Sequence, residues 1–105
     1  MSARTLLGFD YGRKRIGVAV GQELTTSAQP LATVHMVQNK PDWAHITRLL
    51  EQWKPALVIV GKPLNMDGTE HDMTRAATRF ANQINGRYNL PVEMIDERLT
   101  SLQAE

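Results

Sequence analysis

The longest apolar run in the chain, the five residues Ala56-Leu57-Val58-Ile59-Val60, constrains most of what can be built from it. A helical membrane span takes about 20 apolar residues, so this run cannot be one. Bounded by Pro55 and Gly61 and rich in branched side chains, it reads as a buried strand. Upstream, Leu31 to Val37 reads as another strand. Between them Trp43, Ile46, Leu49, Leu50 and Trp53 recur at helical spacing. Asn39-Lys40-Pro41-Asp42 is expected to open this helix, with Pro41 in its first turn, and Pro55 to end it. Strand, helix, strand implies a crossover connection and a parallel pair.

The chain begins with a different arrangement. Thr5 to Asp10 is mostly apolar and reads as a strand buried on both faces. Tyr11-Gly12-Arg13-Lys14 is a turn, and Arg15 to Val20 follows as a second strand. Two strands joined this closely must run antiparallel. Ile16, Val18 and Val20 fall on one face of the second strand. Gly17 and Ala19 fall on the other, where small residues allow close approach. Gly21 to Pro30 is a polar loop.

Downstream of Val60, Gly61 to Gly68 is a loop. Thr69 is placed to cap a second helix, whose apolar stripe is Met73, Ala76, Ala77, Phe80, Ala81 and Ile84. Asn85-Gly86 is expected to stop it. Val92 to Asp96 reads as a last strand, and Thr100 as the cap of a further helix that has barely begun at Glu105. The chain therefore reads as one domain, 1–105, cut short at its C-terminal end. The missing helix is expected to cover the apolar sheet face beside the first helix. No repeat or linker divides the sequence, and 105 residues suit one compact domain. The absence of cysteine excludes disulfides, a thiol nucleophile and thiolate metal sites. No apolar signal follows Met1-Ser2-Ala3-Arg4, so a soluble, cytoplasmic protein with no membrane partner is expected.

A net charge of +1 says little, but the charge is unevenly placed. Arg4, Arg13, Lys14 and Arg15 face a single acid, Asp10, within the first 22 residues, while Glu93, Asp96, Glu97 and Glu105 face only Arg98 at the other end. The basic cluster can attract phosphate or can be a solvated turn. Open α/β sheets bind ligands beyond the carboxyl ends of their parallel strands. Three unusual segments occupy those ends: Asp10-Tyr11-Gly12, Gly61-Lys62-Pro63 and Asp96-Glu97-Arg98. A carboxylate closing a buried strand is costly unless it is paired or binds a cation. Asp10 can instead open a turn. Asp96 and Glu97 can supply a second metal ligand or cap a turn. Lys62 and Arg98 can hold phosphate, and Arg98 can also pair with its acidic neighbours. His35, His45 and His71 show no ligand spacing.

The segments Phe9-Asp10-Tyr11-Gly12-Arg13-Lys14-Arg15-Ile16-Gly17-Val18-Ala19, Val60 to Gly68, and Asp96-Glu97-Arg98-Leu99-Thr100-Ser101 resemble the YqgF (RuvX) family across essentially the whole chain. The resemblance implies an RNase H-like α/β fold, as in the RuvC resolvase, with three antiparallel strands followed by parallel ones and flanking helices. It implies a metal-dependent nuclease acting on RNA in 5′-end processing of pre-16S rRNA. Two divalent ions, Mg²⁺ or Mn²⁺, would activate water and stabilise the leaving oxygen. Asp10 matches the family's first acid and Glu97 its second, both as metal ligands, with Asp96 as a catalytic neighbour. Arg13, Lys14, Arg15, Lys62 and Arg98 would contact the nucleic acid, and the ribosomal small subunit is a further expected partner. Lys62 stands where the family more often has Leu. The helix that carries the family's third acid has no counterpart in these residues. Two alternatives remain on the same fold: a non-catalytic nucleic-acid-binding or ribosome-assembly factor, and a Holliday-junction resolvase-like DNA nuclease. An actin-like ATPase would need a second half-domain that this length cannot hold.

Overall fold

The computed structural model describes residues 4–12, 14–22, 28–62 and 72–96. In these, β1 (Thr5–Tyr11), β2 (Arg15–Gln22), β3 (Ala28–Val37), β4 (Lys40–Pro41), β5 (Leu57–Lys62) and β6 (Val92–Asp96) form one sheet in the order β4-β3-β2-β1-β5-β6. Helix α1 (Trp43–Trp53) connects β4 to β5, and α2 (Asp72–Tyr88) precedes β6. The pairs β1–β2, β2–β3 and β3–β4 are antiparallel, while β1–β5 and β5–β6 are parallel. The expected crossover is present, but β5 pairs with β1 rather than with β3. The chain passes over the whole hairpin, so the first strand becomes central.

Alternation along the strands sorts the side chains. Leu7, Phe9, Ile16, Val18, Val34, Val58 and Val60 are buried on one face with Ile46, Leu49 and Leu50 of α1 and Ala77, Phe80, Ala81 and Ile84 of α2. Both helices lie on this face. Phe80 of α2 meets Phe9 of the sheet edge-on at 5.6 Å and stacks on Trp43 of α1 at 5.7 Å. The Thr47 and Tyr88 hydroxyls, 2.8 Å apart, tie the two helices together. The cover expected beside α1 is therefore supplied by α2. Among the described residues it is the opposite face that carries no helix.

Three local expectations are corrected. Lys40-Pro41 is not the start of α1 but a short strand, since Gln38 and Asn39, at φ 53° and 66°, turn the chain tightly back onto β3. Two consecutive positive φ values make the two-residue hairpin turn whose twist suits paired strands. Asp42 then caps α1, accepting from the His45 amide at 3.3 Å. The third strand begins at Ala28, not Leu31, because a register irregularity lets Pro30 sit opposite Ala19. Proline is tolerated at such a bulge. Finally, α2 runs through Asn85-Gly86 to Tyr88, because Tyr88 is held by Thr47 and the Trp43 ring. Asn89, at φ 55°, ends the helix, and its amide donates to the Asn85 carbonyl.

Candidate active site

Asp10 stands next to the end of the central strand, one residue before Tyr11. It lies opposite Gly17 of β2 on one side and Gly61 of β5 on the other. The same lateral row continues to Thr33 on β3 and to Ile95 on β6, giving Thr33–Gly17–Asp10–Gly61–Ile95 across five strands. Cross-strand partners share a face. The row therefore lies on the face away from the helices, and Asp10, Gly17, Thr33 and Ile95 are all exposed. Asp10 thus stands between two positions without side chains, which leaves its carboxylate open to a ligand from both sides. Among the described residues no donor pairs with it, and no group of three or more His, Cys, Asp or Glu gathers there.

The turn after Asp10 sets the rest. A Cβ on Gly12 would stand 2.7 Å from the Arg15 carbonyl oxygen, closer than real Cβ atoms approach, so this close return of the chain requires glycine. The Lys14 carbonyl accepts from the Met36 amide at 3.2 Å, which anchors the turn to β3. Lys14 and Arg15, both exposed, thereby line one depression of about 560 Å³ with Asp10, Tyr11, Gly12, Gly17 and Thr33. On its other side Tyr11 packs against Phe80 at 5.2 Å, so the helix-covered core holds the strand end that carries Asp10.

Of the residues expected from sequence to form the site, Asp10, Lys14 and Arg15 are brought together. Lys62 ends β5 and Asp96 ends β6, where they are register partners at the same sheet edge. Arg13, Glu97 and Arg98 lie outside the described residues. Gly61 belongs to a segment expected at the ligand-binding edge, whereas Gly17 and Thr33 were not expected as site residues. The small-residue face of β2 signalled Gly17, but Thr33 joins it only through long-range register, which no local pattern carries.

The strand order, with an acid closing the central strand, defines a mixed α/β domain of the RNase H-like class. Thermus thermophilus RuvC bound to a Holliday junction substrate has the same fold: TM-score 0.59 and 17% identity, with 89% of this chain and 64% of that chain covered. Archaeoglobus fulgidus Pelota shares it at TM-score 0.62 and 12% identity, over 90% of this chain and 27% of that one. The model of the RuvX family, described as Holliday junction resolvase, matches residues 4–105, and the chain belongs to that family. It is 50% identical to the "Putative pre-16S rRNA nuclease" of Shewanella oneidensis over 105 residues, all of this chain and 74% of the relative. It is 53% identical to the protein of the same name from Pseudomonas putida over 102 residues, 97% of this chain and 72% of the relative. Among the described residues no helix is long and apolar enough to cross a membrane.

Proposed function

We propose that the protein is a metal-dependent nuclease that hydrolyses RNA phosphodiesters, with pre-16S rRNA as its substrate and ribosome biogenesis as its setting. The observation that carries this reading is the exposed Asp10 carboxylate at the carboxyl end of the central strand, flanked by Gly17 and Gly61 and rimmed by Lys14 and Arg15. Family membership and the names of the relatives support it.

The donor chemistry fits a divalent cation. Mg²⁺ takes oxygen ligands and is commonly held by one or two carboxylates together with substrate phosphate. We assign Asp10 as one ligand and Glu97 as the second. Glu97 is proposed on the family resemblance, in the segment that follows β6. Asp96, its neighbour in sequence, is the weaker candidate. When bound, Mg²⁺ or Mn²⁺ would supply an activated water and charge neutralisation at the leaving oxygen. The chain's own part is positional. Asp10 fixes where the scissile phosphate must lie, and the glycines beside it let a sugar-phosphate backbone approach the sheet. Lys14 and Arg15, with Arg13, Lys62 and Arg98 as further proposed contacts, bind flanking phosphates and confer affinity without sequence choice. The proposed setting is the cytoplasm, where the ribosomal small subunit is assembled.

The test is cleavage of a pre-16S rRNA fragment with Mg²⁺, with Mn²⁺ and with chelator. Cleavage confined to the two metal conditions is expected. Binding without cleavage in all three would instead favour the non-catalytic assembly factor. Cleavage of a Holliday junction but not of RNA would favour the resolvase.

A further inference from the structure

We propose that Thr33 is a specificity residue of this site, donating to or accepting from a ribose 2′-hydroxyl and so favouring RNA over DNA. The inference rests on the nuclease reading above and deepens it. Thr33 is two strands from Asp10, about 10 Å away at the usual strand spacing of ~4.8 Å. The strand between them presents Gly17, whose missing side chain leaves a trough from carboxylate to hydroxyl. A Cβ placed on Gly17 would meet the Asp10 Cβ at an ordinary 3.8 Å and nothing else within 4 Å, so the space over Gly17 is open and a methyl group there would stand beside Asp10.

The chemistry along the trough is ordered. Asp10 is at one end, bare backbone lies in the middle and Thr33 is at the far wall, with Lys14 and Arg15 along the rim. Arg15 is in register with His35, two residues along β3 from Thr33, so the polar surface continues from β2 onto β3 beside the depression. The rim cations attract phosphates, as any nucleic acid would require. A threonine hydroxyl adds nothing to that attraction. It is both donor and acceptor, as the 2′-hydroxyl is, and the 2′-hydroxyl is the group that distinguishes RNA from DNA at a given contact. A sugar lying over Gly17, with its phosphates held by the rim, would bring its 2′ side against Thr33. The rim fixes the backbone, and the exposed hydroxyl on the far wall reads the sugar.

The experiment compares RNA and DNA oligonucleotides of one sequence, bound without metal to protein carrying Asp10→Asn so that nothing is cut. Into this background go Thr33→Val, which keeps the shape and removes the hydroxyl, Thr33→Ser, which restores it, and Arg15→Ala. The expected result is an RNA affinity about three- to tenfold weaker with Thr33→Val, the size of one hydrogen bond, with DNA affinity unchanged. Thr33→Ser should recover most of that affinity. Arg15→Ala should weaken RNA and DNA alike. Replacing one ribose at a time by deoxyribose should locate a single position whose effect vanishes in the Thr33→Val protein. Equal effects of Thr33→Val on RNA and DNA, or none on either, would overturn the specificity role while leaving the nuclease reading intact. Failure of the Asp10→Asn protein to bind either oligonucleotide would overturn both.

Discussion

The two faces of the sheet are built from the same strands and obey opposite rules. On the helix side the inward positions of β1, β2 and β5 are Leu7, Phe9, Ile16, Val18, Val58 and Val60, all buried. One residue out of phase, the same strands present Gly8, Asp10, Gly17, Ala19, Ile59 and Gly61. The first set holds the fold together by removing large apolar groups from water. The second set has few side chains to bury and lets another molecule reach the backbone. Its residual apolar surface, from Leu6 across Ala19 and Ile59 to Ile95, lines an open depression of about 620 Å³, and Ile95 is 43% exposed. Alternation along a strand thus divides a covered face from an open one within single segments, and Asp10 sits on the open face of the central strand.

Substitutions on the two faces should therefore separate stability from activity. The largest stability effect is expected on the covered face. Phe80→Ala removes a buried ring that contacts Phe9, Tyr11 and Trp43, and should cost about 3–5 kcal/mol in denaturant unfolding. Ile95→Ala, on the open face, should cost well under half of that. A comparable destabilisation at Ile95 would break the comparison. Next in size is Gly12→Ala. Its Cβ must push the Arg15 carbonyl away from 2.7 Å, at about 1–3 kcal/mol, and the displaced hairpin should lower cleavage as well. Gly17→Ala sharpens the contrast, because its Cβ meets only the Asp10 Cβ, at an ordinary 3.8 Å. Thermal unfolding should barely change while RNA cleavage falls, since the methyl group occupies the trough beside the carboxylate. Smaller again, replacing Lys14 and Arg15 by Ala should leave unfolding unchanged. On single-stranded RNA it should reduce the slope of log affinity against log salt by about 0.7 for each phosphate that the protein no longer neutralises. The smallest effect is at the outer helix surface. Arg87→Ala removes a guanidinium 4.2 Å from the centre of the Trp43 ring and should cost about 0.5–1 kcal/mol with no change in cleavage.

Residues next to each other in sequence made most of the fold legible, and residues paired across strands account for what was missed. The hairpin of β1 and β2, the amphipathic α1 and α2 and the apolar β5 follow from periodicity alone. The two-residue β4 does not, because Gln38 is an unusual choice for a turn position of positive φ, so nothing local announced the hairpin. The end of α2 was misplaced for the opposite reason. Gly86 is a sound local stop, but the contacts of Tyr88 with Thr47 and Trp43 extend the helix past it. At the site, Asp10 stood out because a carboxylate closing an apolar strand needs a reason. That Gly61 and Gly17 flank it, and that Thr33 completes the row, depends on β5 crossing to pair with β1 and on the β2–β3 register. Neither can be read from hydrophobic alternation, which fixes the face of a residue but not its neighbours.

The central claim is that the open face is organised around the charge of Asp10, and Asp10→Asn tests it most directly. The amide keeps the shape of the side chain at an exposed position and removes the negative charge that would hold a cation. Thermal unfolding and metal-dependent RNA cleavage should be measured side by side on the native and substituted proteins. The expected result is an unchanged melting temperature with cleavage abolished, and no recovery on raising Mg²⁺ or Mn²⁺. Undiminished cleavage by the Asp10→Asn protein would contradict the account and return Asp10 to the role of a turn residue.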